Sequence, residues 1–322
     1  AAKPPGGWVV LEMVERAGCT QAALARGEPL CGTASLVRRW ILLEQPGPWG
    51  RDAVHESRLP KRTAAALQRV ADDLNARLVL IRRYGRTTTE ARECFVACSA
   101  PPDPWIDSFL VDSPQDLLDL DLSPLRLCER VGGRPVTRLY LVCTNGRHDA
   151  CCAEFGRPLA GALTRARPEQ TWECSHIGGD RFAANLICFP HGLYYGRVGR
   201  DEGLEVVEAY ERGLVDLDHY RGRAGLPFHV QAAEYFVRRH ARLLGTDDLA
   251  VMGQEAAPGR RVRVTFAGPH STLFTAEIVV NRDEQGQLLT CRAERPLHPP
   301  RYELVGVETV SGASPQLFGR DV

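Results

Sequence analysis

Residues 138–166, RLYLVCTNGRHDACCAEFGRPLAGALTRA, place a strand, a polar loop and a helix one after another, and this order decides the fold. The apolar start predicts a strand that ends at Cys143, and the helix after the loop begins near Cys151. Gly156 and Pro158 predict an interruption of that helix, because glycine and proline both disfavour a helix interior. A strand that leads through a loop into a helix is typical of an α/β protein.

The segments after this helix complete one α/β unit. TWECSHIGGD (171–180) predicts a strand that runs into a glycine turn. RFAANLICFPHGLYYGRV (181–198) predicts a short turn, then two strands joined through Pro-His-Gly. The unit therefore consists of a strand, a loop, a helix and three further strands.

A similar unit precedes this one, and the two can be aligned as an internal repeat. The sequence predicts a strand over 38–47, an amphipathic helix over 61–76 and three short strands after it. LLEQPGPWGRDAV can be laid over YLVCTNGRHDACC with one residue of gap, which puts Gln45 on Cys143. The first copy has PGPWG where the second has thiols, so we expect the chemistry in the second copy.

The C-terminal part has a different pattern. LEVVEAYERGL (204–214) and HVQAAEYFVRRHARLLG (229–245) predict two amphipathic helices. RRVRVTFAG, TLFTAEIVVNRDEQGQLLTCRAE and RYELVGVETV predict four strands, with a hairpin turn at DEQGQ (283–287). We expect a small antiparallel β appendage from about residue 255 onward.

Charge and hydropathy exclude several classes of partner. Lys plus Arg and Asp plus Glu are both 40, so the net charge is zero and no long-range field attracts nucleic acid. No run of 18 apolar residues is present, so we expect no membrane span. AAKPPGGWVV at the start lacks the basic start and apolar core of a secretory signal, and we expect a cytoplasmic location.

Eleven cysteines are an odd number with irregular spacing, which argues against a secreted disulfide framework. In a reducing compartment such thiols are buried and inert, bind metal or carry redox chemistry. Seven of them lack a partner pattern and are interpreted as small buried hydrophobes: Cys19, Cys31, Cys94, Cys98, Cys128, Cys188 and Cys291.

The remaining cysteines lie in two segments of the second unit. Cys143 is followed by seven residues and then by Cys151 and Cys152 at a predicted helix start, where free N–H groups favour a thiolate. The other segment, Cys174-Ser-His176-Ile-Gly-Gly-Asp180, offers three potential ligands next to two glycines. Two such segments in one fold unit indicate a metal or redox site more specifically than either does alone.

CTNGRHDACCAEFGRPLA and ECSHIGGDRFAANLICFPHGLYYGRV resemble the sucrase/ferredoxin-like family, within the thioredoxin-like [2Fe–2S] ferredoxins. The resemblance is strong over 138–200, fair over 18–112 and thin beyond 225. It implies two tandem thioredoxin-like units, the second of which carries a [2Fe–2S] cluster. The helices and the small β appendage follow these units.

The resemblance also implies a ligand set. Cys143 and Cys152 match the two cysteines of the family's loop, and His176 matches the first histidine of its H-x-G-G-H motif. Asp180 stands where the second histidine would be. The fourth ligand is therefore Asp180 by position or Cys174 by the softness of its sulfur.

From these observations we expect three regions, 1–125, 126–224 and 225–322, and a [2Fe–2S] electron-transfer protein with a protein redox partner. The expected role is an electron carrier more than a stand-alone enzyme, and no pair of carboxylates indicates a sugar hydrolase. Two alternatives remain open. The first is a zinc-binding protein, because the same ligands would suit a zinc ion. The second is a thiol–disulfide oxidoreductase that uses the cysteines directly, although no C-x-x-C motif is present.

Overall fold

The computed structural model describes residues 18–85 and 91–312, which form a mixed α/β structure with two sheets. The opening AAKPPGGWVV lies outside the described residues. The helices are α1 Cys19–Ala25, α2 Ala53–Glu56, α3 Lys61–Asp73, α4 Ala150–Ala166, α5 Glu202–Glu211 and α6 Phe228–Ala241. The strands are β1 Arg39–Glu44, β2 Ala76–Arg82, β3 Arg92–Cys98, β4 Trp105–Val111, β5 Arg134–Pro135, β6 Leu139–Cys143, β7 Thr171–Cys174, β8 Leu186–Phe189, β9 Leu193–Tyr195, β10 Tyr220–Arg223, β11 Ala250–Ala257, β12 Arg261–Gly268, β13 Thr272–Arg282 and β14 Pro300–Ser311.

The large sheet repeats one strand order in its two halves. Its order is β10-β9-β8-β6-β7-β2-β1-β3-β4-β5. In the first half β1 is parallel to β2 and antiparallel to β3, and in the second half β6 is parallel to β7 and antiparallel to β8. The halves meet where β2 pairs antiparallel with β7. The identification of each half as a thioredoxin-like unit stays a prediction, as do the boundaries after 125 and 224.

Side chains alternate between two faces of this sheet, so inner strands such as β1 contribute to two cores. On one face Ile41 and Leu43 of β1 pack with α3. On the other face Trp40 and Leu42 join a core that contains residues of both halves. The three cysteines at the strand ends and the helix start, Cys143, Cys152 and Cys174, belong to this shared core.

The predicted interruption of α4 is wrong, because the helix runs unbroken through Pro158. The packing of α4 on the sheet outweighs the local preference of single residues. Gly156 serves that packing, since a Cβ at this position would overlap the carbonyl oxygen of Cys143. The glycine therefore brings the helix close to the end of β6.

The four-stranded antiparallel sheet is present, but its strands differ from the prediction. It begins at residue 250 and has the order β11-β12-β13-β14. The predicted hairpin at 283–287 is wrong, because 283–299 connects β13 to β14 with one isolated bridge, from Gln287 to Leu297. The Asp283 carboxylate accepts hydrogen bonds from Gln285 and Gln287, so a local turn replaces the ladder.

The two predicted C-terminal helices are confirmed as α5 and α6, and the strand between them was not predicted. This strand, β10, reads Tyr-Arg-Gly-Arg and is buried throughout, so it has no apolar alternation to reveal it. Within residues 18–85 and 91–312, no helix combines the length and the apolar character that crossing a bilayer requires.

Two interpretations of the cysteines need correction. Cys98 and Cys128 form a disulfide, because β3 ends next to the turn that follows 123–127 and brings their Cα atoms to 5.5 Å. Cys291 is exposed on the connection between β13 and β14, so it is not a buried hydrophobe. The other nine cysteines are free, and apart from Cys291 they are buried.

We predict that Gly156→Ala destabilises the protein by about 1–3 kcal/mol, because its new methyl group must displace either α4 or the end of β6. Gly161→Ala in the same helix is the matched control. Its methyl group would meet the Tyr84 ring, which is part of an exposed side chain and can move. Urea denaturation of the metal-free proteins measures both. Equal midpoints for the two variants would contradict the close approach of α4 to Cys143.

Candidate metal centre

The parallel pair β6 and β7 brings the two reactive segments to one edge of the sheet. Cys143 and Cys174 are direct partners in this pair and are the last residues of their strands. The loops that follow, 144–149 and 175–179, therefore start side by side. Ligand sites in α/β sheets occur at such carboxyl ends, because the loops there converge.

Three predicted ligands lie together at this edge. The Sγ atoms of Cys143 and Cys152 and a ring nitrogen of His176 all lie within 4.8 Å of one another. Both thiols are buried. Asp149 caps α4 by accepting a hydrogen bond of 2.9 Å from the Cys151 backbone N–H, which fixes the first helical turn and with it Cys152.

Asp180 also reaches this group. Its Oδ1 lies 2.8 Å from Nδ1 of His176 and 3.2 Å from Sγ of Cys152. Gly178 and Gly179 have φ of +95° and +81°, and this turn folds the chain back toward the thiols. A Cβ on Gly179 would overlap the buried guanidinium of Arg221.

The buried guanidinium of Arg221 fixes this turn from behind. Its Nη1 donates to the carbonyl oxygen of Gly178 at 3.1 Å and to Oδ1 of Asn185 at 2.7 Å. Its Nε donates to the hydroxyl of Thr33 at 3.1 Å. The position of Asp180 is therefore set by a glycine turn and by the buried guanidinium of Arg221, which comes from the edge strand β10.

Cys174 lies on the other side of Cys143. It is fully buried and contacts the Cys143 thiol. Both effects raise the pKa of Cys174 well above its usual value, and burial is the larger of the two. In the described ranges, Cys174 belongs to neither group of ligand atoms that includes His176. The geometry thus brings Asp180, and not Cys174, close to the imidazole.

His148 is a further group at the site that the sequence analysis missed. Its ring stacks on that of His176 with centroids 3.6 Å apart, and its Nε2 lies 3.6 Å from Oδ2 of Asp180. Its Nδ1 lies 3.1 Å from the carbonyl oxygen of Arg51. The sequence feature that could have indicated His148 is its position among the eight residues between Cys143 and Cys152.

The thiols and the imidazole shift one another's pKa values. Contacts with Cys152, Cys174 and His176 lower the pKa of Cys143 well below its usual value, although burial opposes this. The contact with Cys143 and burial raise the pKa of Cys152. Burial acts to lower the pKa of His176, but Asp180 and Cys143 outweigh it and raise this pKa to about 9. These contacts therefore favour the deprotonated form of Cys143 and the protonated form of His176 in the metal-free site.

The residues present fit a transition metal. Nδ1 of His176 is buried and has no hydrogen bond of acceptable geometry, although Asp180 lies near. An unsatisfied buried nitrogen costs free energy, and a metal ion would remove that cost by displacing the proton of this nitrogen and accepting its lone pair. Two thiolates, an imidazole and a carboxylate are also the donor types that bind zinc and iron.

A comparison with known protein families finds one whose model matches this chain. The sucrase/ferredoxin-like family model matches residues 30–222, which is more than half of the chain. The chain therefore belongs to the sucrase/ferredoxin-like family.

A curated relative is altered inheritance of mitochondria protein 32 of Meyerozyma guilliermondii. It is 30% identical over 95 residues, which cover 26% of this chain and 34% of that protein. The chain thus spans about a third of the length of this relative. No solved structure matches the chain.

We predict that Cys152→Ser loses most of the bound iron, whereas Cys151→Ser keeps it. The two thiols are neighbours in sequence, but only Cys152 lies within 4.8 Å of both Cys143 and His176. Serine binds iron poorly because its hydroxyl is a harder and less acidic donor than a thiol. Iron per chain is measured after anaerobic reconstitution. Equal iron in wild type and Cys152→Ser would exclude Cys152 as a ligand.

Proposed function

We propose that this protein is a [2Fe–2S] electron-transfer protein whose cluster is held by Cys143, Cys152, His176 and Asp180. The observation that carries the proposal is the convergence of two buried thiols on an imidazole whose buried Nδ1 lies 2.8 Å from the Asp180 carboxylate without a well-oriented hydrogen bond. Family membership supports the same cofactor through the ferredoxin in the family's name. Such a cluster gains and loses one electron at a time.

The protein side chains have separate roles in this proposal. Cys143 and Cys152 provide the two anionic sulfur ligands, and the shared apolar core around them excludes water. His176 contributes a neutral nitrogen in place of a third thiolate, which lowers the negative charge of the site and favours the reduced state. Asp180 restores one negative charge, and Arg221 holds its turn.

We also propose that the cluster exchanges electrons with a protein redox partner. No nucleic acid and no membrane span take part in this proposal. The side chains of His148 and His176 are 26% and 24% exposed, so this edge of the site is open to a docking protein. Of three arginines near it in sequence, Arg181 and Arg197 bind Glu28, and Arg147 is exposed. We propose that Arg147 contacts an acidic partner. The proposed cytoplasmic location would keep the free thiols of the site reduced, whereas the disulfide between Cys98 and Cys128 is unusual for that compartment.

The alternatives differ from the proposal in ways that the site makes testable. A zinc ion would accept the same two thiols, imidazole and carboxylate, so zinc is the stronger alternative. A thiol–disulfide oxidoreductase needs an accessible thiolate. The pKa of Cys143 is lowered, but its side chain is only 1% exposed, which disfavours attack on a protein disulfide.

The test is spectroscopy on the freshly purified full chain. We expect visible absorption, and an EPR signal after one-electron reduction, with iron and sulfide in equal amounts. Pulsed EPR should detect one coordinated histidine nitrogen, from His176. A colourless protein that contains zinc and no iron, or two coordinated histidine nitrogens, would contradict the proposal.

Three alanine variants identify the fourth ligand in the same experiment. Asp180→Ala should reduce the iron content and change the EPR g-values, because it removes the oxygen nearest to His176. Cys174→Ala and His148→Ala should keep both iron and the g-values, since neither is a ligand in this proposal. If Asp180→Ala retains the cluster and either Cys174→Ala or His148→Ala loses it, the residue whose variant loses the cluster is the fourth ligand.

A further inference from the structure

A second group of metal-binding side chains lies on another side of the first turn of α4. The Sγ atoms of Cys19, Cys151 and Cys291 and a carboxylate oxygen of Asp149 all lie within 4.8 Å of one another. The Sγ of Cys291 is 3.4 Å from that of Cys151 and 3.5 Å from that of Cys19. The Sγ of Cys19 is 3.6 Å from both oxygens of Asp149.

We propose that Cys19, Cys151, Cys291 and Asp149 bind one Zn²⁺ ion in a structural site. This site shares no ligand with the proposed iron–sulfur site and does not depend on it. The adjacent residues Cys151 and Cys152 then serve different metals, because successive residues of a helix point about 100° apart.

The spacing of the four ligand atoms fits tetrahedral zinc. Zinc–sulfur bonds of about 2.3 Å and zinc–oxygen bonds of about 2.1 Å place sulfurs about 3.8 Å apart, and sulfur and oxygen about 3.6 Å apart. The observed distances are 3.4–3.5 Å and 3.6 Å. A disulfide needs about 2.05 Å between sulfurs, so none of these pairs is bonded. All four donor atoms also lie within 4.8 Å of one another, as a mononuclear site requires.

Backbone groups around these four atoms orient the carboxylate and allow the thiols to approach one another. The carboxylate of Asp149 accepts hydrogen bonds from the backbone N–H groups of Cys151 at 2.9 Å and Cys291 at 2.6 Å, which orient it toward the thiols. Gly18 precedes Cys19, and a Cβ on it would lie 2.9 Å from Sγ of Cys151. Glycine at this position lets α1 approach the helix closely enough for three sulfurs to meet.

The ligands come from three distant parts of the chain, which indicates a structural role. Cys19 begins α1, Cys151 lies in the first turn of α4, and Cys291 lies on the connection between β13 and β14. Cys19 and Cys291 are 272 residues apart in sequence. A zinc ion would therefore fasten the first described helix and the C-terminal appendage to the α/β core. Each thiol releases its proton to solvent when the ion binds, and no oxidation or reduction is needed.

The experiment measures zinc in the full chain under reducing conditions, after incubation with Zn²⁺ and removal of loosely bound ions. We expect about one zinc per chain. X-ray absorption at the zinc edge should show three sulfurs and one oxygen. Substitution with Co²⁺ should give the visible ligand-field bands of a tetrahedral thiolate site.

The decisive variant is Cys291→Ser, because this cysteine is exposed on a connection and its loss leaves no cavity in the core. It should lose most of the zinc and keep the iron. Cys188→Ala, which alters a buried thiol of β8, is the control and should keep both metals. Cys143→Ser should lose iron and keep zinc, so failure of the two sites can be told apart.

Three results would overturn the proposal. The first is wild-type protein that retains no zinc. This test does not depend on the folding of any variant. The second is equal zinc in wild type and Cys291→Ser. The third is a zinc-edge spectrum with two sulfurs, one nitrogen and one oxygen, which would place the ion at Cys143, Cys152, His176 and Asp180 instead.

Discussion

The candidate site depends on the parallel pairing of β6 with β7. This pairing sets Cys143 beside Cys174 and makes both strands end at the same edge of the sheet. The two loops that leave these ends carry His148 and His176, whose rings stack. A one-residue shift of either strand in this register would turn the cysteine of that strand to the opposite face and separate it from the other side chains of the site.

The first turn of α4 is the second constraint, because it serves both candidate sites at once. Asp149 caps the helix, orients the turn and also faces Cys19 and Cys291. Cys152 faces Asp180 and the shared core, while Cys151 faces Cys291. Gly156 keeps this helix against the carbonyl of Cys143. One short segment, 149–156, thus connects the fold to both groups of ligands.

The local part of this organisation could be predicted from the sequence. The strand, loop and helix around Cys143 and Cys152 follow from apolar patterning, and two glycines before Asp180 indicate a turn toward the site. These features depend on residues that are close in sequence. The repeated order of strands was visible for the same reason, in the alignment of Gln45 with Cys143.

Contacts between distant segments could not be predicted in this way. Nothing local indicates that Cys291 meets Cys19 across 272 residues, or that Cys98 pairs with Cys128. His148 acquires a role only because two loops stack its ring on His176. The buried strand β10 lacked a pattern, since its arginines are held by hydrogen bonds that the chain forms only when folded.

The central claim is that two thiolates and the pair of His176 and Asp180 hold one two-iron cluster. Mössbauer spectroscopy of the ⁵⁷Fe-enriched, oxidised protein tests it most directly, because each iron reports its own ligands. If Cys143 and Cys152 bind one iron and His176 and Asp180 bind the other, we expect two doublets of equal area, one from an iron with sulfur ligands only and one from an iron that has nitrogen and oxygen ligands besides the bridging sulfides. A single doublet from two equivalent irons, or from one isolated iron, would contradict it.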